Sequence, residues 1–266
     1  IDIHGGGIDL IFPHHENEIA QGEGRTCKCY CTQWMHNNFI NLNDEKMSKS
    51  LGNIVTARAF MEKYTPEILK YLMLSSHYRV LFNLNEEKIS QVLSGLSRIY
   101  MALGDALNIS QDSEEVDQVD KHFAELTKGA DKKIKESLDD DFNTPEVMAH
   151  IFEIVRAFNS MNLVKKKRNA QNKATSKYFY DWICEKGELM SLFQEPPAKF
   201  LASIDDILIR EKNIDVENVE SLIKERNDAR DSKDFARADE IRDELTQMGV
   251  MIMDGVEGRG WELDKK

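Results

Sequence analysis

The chain has 266 residues, 41% of them apolar and 31% charged, with a formal net charge of −12. That length accommodates one large or two to three small domains. The acidic balance argues against indiscriminate nucleic-acid binding, which would show as a basic excess, while leaving room for a local basic face. No apolar run reaches the roughly 18–20 residues that span a bilayer, so no membrane partner is expected. The opening Ile1-Asp2-Ile3-His4 lacks the basic-then-apolar profile of a signal peptide. Three of the cysteines, Cys27, Cys29 and Cys31, crowd together and Cys184 stands apart, a poor disulfide framework that predicts a reducing, cytoplasmic setting. The sequence begins without methionine, in what reads as the tail of a strand, so a C-terminal part of a longer protein is expected.

Residues 1–43 mix short β-like runs, such as Phe39–Leu42, with glycines and a His/Glu cluster, as at the end of an α/β domain. Helical signals take over from about residue 54. Thr65-Pro66-Glu67 combines a capping hydroxyl, a proline at the first helical position and an acid. Asn85 caps the next predicted helix, whose apolar positions Ile89, Val92, Leu93, Leu96, Ile99, Tyr100 and Leu103 follow the 3.6-residue period. Val119, Phe123, Leu126, Ala130 and Ile134 do the same in another. Thr144-Pro145-Glu146 opens a fourth with Ile151, Val155 and Phe158 inward, and Tyr178, Trp182 and Ile183 belong to a fifth. The middle of the chain is therefore a predicted helical bundle.

Lys165-Lys166-Lys167-Arg168 follows the fourth helix and reads either as a solvated inter-helix loop or as a nucleic-acid backbone contact. Pro196-Pro197 is expected in a linker. A last module begins near residue 217. Asp234 caps a helix with Phe235, Ala238, Ile241, Leu245 and Met248 on one face, ended by Gly249. Val250–Met253, a turn at Asp254-Gly255 and Gly260-Trp261 then predict a small hairpin.

Four clusters carry chemistry. In His14-His15-Glu16-Asn17-Glu18, a helix started by Pro13 puts His14 and Glu18 on one face, where an imidazole and a carboxylate can supply two ligands to Zn²⁺. A polar helix start is the plain alternative, and the spacing is not His-Glu-x-x-His. His4-Gly5-Gly6-Gly7 followed by Asp9 lets a ligand approach the backbone and exposes N–H groups to phosphate, or makes a tight turn. Lys46-Met47-Ser48-Lys49-Ser50 can surround a polyphosphate with point charges and hydroxyl donors, or be a solvated basic loop. Cys27, Cys29 and Cys31 have the wrong spacing for a zinc knuckle and read as an irregular loop.

Together and in this order, these segments resemble the class I cysteinyl-tRNA synthetases. The run IDIHGGGIDLIFPHHENEIAQ, ending at Gln21, is similar to that family's signature segment, and residues 46–50 match the KMSKS signature unchanged. Trp34-Met35-His36-Asn37, Ser76-His77-Tyr78-Arg79 and Asp140-Asp141-Phe142-Asn143-Thr144-Pro145 fit as well.

The resemblance implies a multidomain, mostly α chain. The tail of a Rossmann-like α/β catalytic domain (1–43) leads to the KMSKS loop and a stem-contact segment (44–80). A helical bundle (81–200) follows, then a linker and a small α/β anticodon-binding module (201–266). It implies activation of L-cysteine by ATP, with Mg²⁺, and transfer to the 3′-terminal ribose of tRNA(Cys) by a monomer. It implies a Zn²⁺ held by two cysteines, a histidine and a glutamate, the last two being His14 and Glu18. The cysteine ligands and the HIGH signature precede the part that this chain resembles, so little independent catalysis or zinc binding is expected of it. A metal-bound thiolate would distinguish cysteine from serine better than a pocket judging size.

His4, Gly5, Gly6 and Asp9 resemble residues near the adenylate. Lys46, Ser48 and Lys49 resemble the ATP-binding loop, its two lysines facing the α-phosphate and the leaving pyrophosphate. Arg230, Asp239, Arg242, Asp254 and Trp261 match positions used around the anticodon, with Trp261 as a stacking platform. On the helix, Asp239 and Arg242 could equally form a surface ion pair. Two other readings are a cysteine:amino-sugar ligase, which lacks an anticodon module, and a non-catalytic tRNA-binding fragment.

Overall fold

The structure, a computed structural model, describes residues 1–47, 52–111, 118–252 and 261–263. Among these, ten α-helices and seven short strands occur, and no helix is long and apolar enough to cross a membrane. The chain divides into two compact units, residues 1–92 with 105–194 and residues 93–104 with 195–266.

The first unit opens with β1 (Ile3–Gly7), which runs parallel to β2 (Gln33–Asn37) with His4 opposite Trp34 and Gly6 opposite His36. Parallel neighbours need a crossover. Here it comprises a kinked turn at Ile11–His15, α1 (Glu16–Thr26) and a loop. Cys27 ends α1 in the left-handed region at φ 54°. The loop beyond it carries Cys29 and Cys31 as free thiols, so the three cysteines do sit in irregular chain.

A second sheet has the order β4 (Glu45–Lys46), β3 (Ile40–Leu42), β5 (Phe82–Leu84), with β3 antiparallel to β4 and parallel to β5. Asn43 and Asp44 turn the β3–β4 corner at φ 51° and 65°. Asn83 holds that corner: its carbonyl accepts from the Asp44 N–H at 2.9 Å and its amide donates to the Asp44 carboxylate at 2.7 Å. Lys46 is thereby fixed at its Cα by a hairpin that β5 supports.

Two helices follow, α2 (Ala57–Lys63) and α3 (Pro66–Leu74). Thr56 and Thr65 cap them, accepting from the N–H groups of Ala59 at 3.1 Å and Ile68 at 3.3 Å. The bundle comprises α4 (Glu86–Ser110), α5 (Lys121–Asp139), α6 (Thr144–Ser160) and α7 (Ala170–Met190). Asn85 caps α4 as predicted, accepting from the Lys88 N–H at 2.8 Å.

The predicted face of α6 is inward, with Ile151, Val155 and Phe158 buried. On α5 two positions differ: Val119 precedes the helix, which starts at Lys121, and Leu126 is 39% exposed while Thr127 takes the inward place. Its hydroxyl donates to the Ala124 carbonyl at 3.0 Å and lies 2.9 Å from the Tyr178 hydroxyl, so this buried threonine is satisfied. On α7 it is Phe179, stacked on Phe158 with ring centroids 4.0 Å apart, that forms the core beside Trp182 and Ile183; Tyr178 is half-buried. The Trp182 indole N–H donates to Asp131 at 2.9 Å, tying α7 to α5.

The second unit contains residues 93–104 of α4 with α8 (Pro197–Lys212), α9 (Val216–Asp231), α10 (Phe235–Gln247), β6 (Val250–Ile252) and β7 (Trp261–Leu263). Pro196-Pro197 falls just after the boundary between the units at 194/195, in the expected connecting place, and Pro197 is already the first residue of α8, the position its fixed φ suits best. Phe200 on α8 stacks on Tyr100 at 3.9 Å. Arg237 ties α10 to α9 through Glu225 at 2.9 Å.

Asp234 caps α10 by accepting from the Arg237 N–H at 3.2 Å, and Gly249 leaves it at φ 76°, both as predicted. β6 and β7 pair antiparallel, with Ile252 opposite Trp261. Asp254, Gly255 and Gly260 lie outside the described residues. The aromatic positions depart from expectation. Phe235, read as part of the apolar face, is 63% exposed, because it is the first residue of α10 and projects beyond the stripe of Ala238, Ile241 and Leu245. Trp261 is 4% exposed and packs as core.

Candidate substrate and metal site

Three elements of the first unit meet at one place. β1 presents His4, α1 presents Glu18 with His14 and His15 just before it, and β2 presents Trp34 and His36. Gly6, two residues after His4 on β1, decides how closely the turn before α1 approaches that strand. A Cβ on Gly6 would fall 2.8 Å from Cε1 and 2.9 Å from Nε2 of His15. The absent side chain makes room for an imidazole, so at this point the glycine run serves a side chain of its own fold.

His4 Nε2 lies 2.8 Å from Glu18 Oε2. The approach is out of line for a hydrogen bond, which leaves that solvent-shielded oxygen without a hydrogen-bond partner. A buried carboxylate oxygen without a bond is costly unless a cation takes it up. His14 Nε2 stands 3.5 Å from the other Glu18 oxygen, the one-face geometry that the spacing of four predicts, and its side chain is 60% exposed.

His15 is the residue that spacing alone did not single out. It is 3% exposed, and its Nδ1 is 2.8 Å from Nε2 of His36. Burial above all, and then the neighbouring His36, hold its pKa below the ordinary imidazole value against an opposing pull from Glu18. It is thus neutral at pH 7 and keeps a lone pair on one ring nitrogen. The nitrogen of His4, the nitrogen of His15 and the carboxylate of Glu18 all come within 4.8 Å of one another. Two imidazoles and a carboxylate with an unfilled lone pair are a donor set that fits a divalent cation of zinc type.

Aromatic rings close the site. His4 packs edge-on against Trp34 at 4.9 Å and Tyr30 at 5.5 Å, and Trp34 stacks on His36 with an interplanar angle of 5°. Such walls lower the local dielectric and strengthen whatever charge interaction forms inside. Gly22 on α1 makes the Tyr30 wall possible, since a Cβ there would meet the Tyr30 ring at 2.4 Å.

The remaining predicted residues are placed as follows. Asp9 is exposed in the short turn Ile8–Leu10 directly after β1, and Gly5 is on β1 against the Met35 carbonyl. Lys46 is exposed at the end of β4, its ammonium 4.4 Å above the Phe39 ring. Ser48 and Lys49 lie outside the described residues. In the second unit Arg230 is exposed at the end of α9. Arg242 and Asp239 form an exposed ion pair at 3.4 Å on α10, the arrangement their spacing also allowed. Trp261 offers no open face for stacking, because the core covers it, and Asp254 is among the residues not described.

Three family models match the chain in order. The tRNA synthetases class I (C) catalytic domain covers residues 1–94, the DALR domain residues 133–194, and the cysteinyl-tRNA ligase anticodon binding domain residues 216–261. Among solved structures, LeuRS of Agrobacterium radiobacter K84, in a ternary complex with tRNA and LeuAMS, aligns with a TM-score of 0.55. Identity is 14%, over 74% of this chain and 28% of that one, a likeness of fold alone. The fold and these matches define a class I tRNA synthetase.

Relatives narrow the class. The cysteine-tRNA ligase of Bdellovibrio bacteriovorus is 47% identical over 265 residues, which is all of this chain and 55% of the relative. That of Idiomarina loihiensis is 42% identical over 98% of this chain and 51% of the relative, and that of Syntrophotalea carbinolica 39% identical over 98% and 54%. The chain belongs to the cysteine-tRNA ligase family, and it spans about half the length of these curated relatives.

Proposed function

We propose that the protein carrying this chain activates L-cysteine with ATP and transfers it to the terminal ribose of tRNA(Cys). The observation that carries this reading is the meeting of His4 and Glu18 at 2.8 Å, with a solvent-shielded carboxylate oxygen left without a hydrogen bond. Glu18 and His14 would hold Zn²⁺, with His4 and His15 lining the same space. Zinc bound there supplies a soft Lewis acid that favours a thiolate over a hydroxyl. His4, Trp34 and Tyr30 would shield it from water, and Asp9, exposed in the turn after β1, would meet the amino group of the substrate.

Lys46, with Ser48 and Lys49, would bind the phosphates of ATP and its Mg²⁺. Their charges oppose the negative charge that builds on the α-phosphate and the departing pyrophosphate. No covalent enzyme intermediate is required, because positioning and electrostatics suffice for attack by a carboxylate.

Residues 201–266 are proposed to read the anticodon, with Arg230, Asp239, Arg242 and Asp254 offering donors and acceptors to base edges. The exposed Phe235 ring is better suited than Trp261 to stack on an unpaired base. Residues 44–80 are proposed as the KMSKS and stem-contact segment, and 81–200 as the bundle. The DALR match and the anticodon-module match favour this reading over an amino-sugar ligase. The test is zinc titration of the complete polypeptide that bears this chain, with His14→Ala, His15→Ala and Glu18→Gln. Loss of affinity in the Glu18 variant is expected, and wild-type affinity there would remove the proposed site.

A further inference from the structure

Lys165, Lys166, Lys167 and Arg168 are four consecutive cations in a chain of net charge −12. They form the turn between α6 and α7, and all four are exposed. The turn is well held. The Lys165 and Lys166 N–H groups donate to the carbonyls of Asn162 at 3.2 Å and Leu163 at 3.1 Å, and the Lys167 carbonyl accepts from the Asn172 amide at 2.8 Å. Arg168 is anchored separately, donating to the Asn108 side chain at 3.2 Å.

Two facts make this more than a solvated loop. First, among the described residues no carboxylate pairs with Lys165, Lys166 or Lys167. Lysines exposed on nearby helical surfaces do find partners: Lys132 with Glu136 at 3.6 Å and Lys177 with Asp181 at 2.8 Å. Second, the run directly precedes the 21-residue helix α7, which has no acid in its first turn. A helix start carries roughly half a positive charge, so cations there oppose the fold. The fold therefore gains nothing from this arrangement.

We propose that Lys165, Lys166 and Lys167, with Arg168 beside them, form a surface that binds the phosphate backbone of the tRNA body. The inference rests on the tRNA ligase reading and adds a tRNA-binding surface built from the turn between α6 and α7, whose residues belong neither to the anticodon module nor to the substrate site. Point charges on phosphate fix position and add affinity without reading sequence. The surface therefore strengthens binding of any tRNA equally, and selectivity comes from elsewhere.

The experiment measures binding of the 266-residue chain to a tRNA(Cys) transcript and to a noncognate tRNA, by fluorescence anisotropy, between about 50 and 200 mM salt. The Lys165→Gln, Lys166→Gln, Lys167→Gln triple variant keeps Arg168 and its anchor. It is expected to weaken both tRNAs by the same factor. The slope of log affinity against log salt should become shallower by about 2–3, near 0.9 for each phosphate that the variant no longer neutralises. Replacing the same three lysines by arginine should retain the wild-type slope. A triple glutamine variant with wild-type affinity and slope overturns the proposal, as does a wild-type chain that binds neither tRNA. Equal wild-type affinity for the two tRNAs, with the slope still falling in the variant, instead removes the tRNA(Cys) reading and leaves the phosphate surface standing.

Discussion

The Asp141 carboxylate accepts a hydrogen bond from the Tyr78 hydroxyl at 2.6 Å. Arg79 donates to the same carboxylate at 3.2 Å through Nη2, and His77 stands 3.9 Å away. The segment just before β5 is thus tied to the corner between α5 and α6. Asp141 and Phe142 turn that corner with φ of 55° and 56°, a region aspartate tolerates far better than phenylalanine. Both segments belong to runs singled out in the sequence, and neither run by itself indicated that the two touch.

The charge on Asp141 makes this interaction pH-dependent. Hydrogen bonding from Arg79 first, and from Tyr78 next, holds the Asp141 pKa below the ordinary carboxylate value. A depressed folded-state pKa stabilises the fold above the unfolded carboxylate pKa of about 3.9, and that stabilisation is lost as pH falls through the folded value. Asp141→Asn keeps the turn and removes the charge. Urea unfolding should show a wild-type advantage that is constant above about pH 5 and shrinks below about pH 4. An advantage that does not change across this range would mean that the ion pair contributes nothing.

The approach of His15 to Gly6 gives a second prediction. Gly6→Ala must push the imidazole away, since its Cβ would lie 2.8 Å from Cε1. Overpacking of this kind costs about 1–3 kcal/mol. Urea denaturation should show that loss in Gly6→Ala and little change in Gly24→Ala, where nothing lies within 4 Å of the added carbon.

His36 Nε2 lies 2.8 Å from His15 Nδ1, which leaves Nε2 of His15 as the nitrogen that could face a cation. His36→Ala should lower the zinc affinity of the complete polypeptide by roughly 10–100-fold if His15 is a ligand. Affinity left unchanged in both His36→Ala and His15→Ala, with loss in His14→Ala, would assign the histidine ligand to His14 alone. Isothermal titration distinguishes these outcomes.

In the second unit the two aromatic residues should separate stability from binding. Trp261→Ala removes a core side chain at 4% exposure and should cost about 3–5 kcal/mol in unfolding experiments. Phe235→Ala should leave stability within about 0.5 kcal/mol. Its tRNA(Cys) affinity should drop by the roughly 1–3 kcal/mol of a stacked base. A Phe235 variant that binds tRNA(Cys) as the wild type does would exclude the stacking role.

Several local signals were legible where a side chain bonds nearby backbone, although the caps at Thr56, Asp120, Asn169 and Asp215 were not read. The caps at Thr65, Asn85 and Asp234 and the glycine exit at Gly249 need only a few neighbouring residues, and the sequence displays them. The start of α8 was not read, because the paired prolines suggested a break, although proline suits a helix start and Phe200, Ile204, Ile207 and Leu208 follow at helical spacing.

What sequence could not display depends on distant segments. His15 is buried because β1 and β2 bring Gly6 and His36 to it, whereas a spacing of four selects His14. Leu126 and Thr127 differ by about a hundred degrees of helix rotation, and the packing of α5 in the bundle, where Thr127 meets the Tyr178 hydroxyl, decides between them. Phe235 and Trp261 exchange their expected places because burial is a property of the assembled module.

The central claim, that these residues serve cysteine activation, is tested most directly by ATP–pyrophosphate exchange in the complete polypeptide that bears them. The account predicts exchange that depends on cysteine, is negligible with serine, and is lost in Glu18→Gln. Equal exchange with cysteine and serine, or full activity in Glu18→Gln, would contradict it.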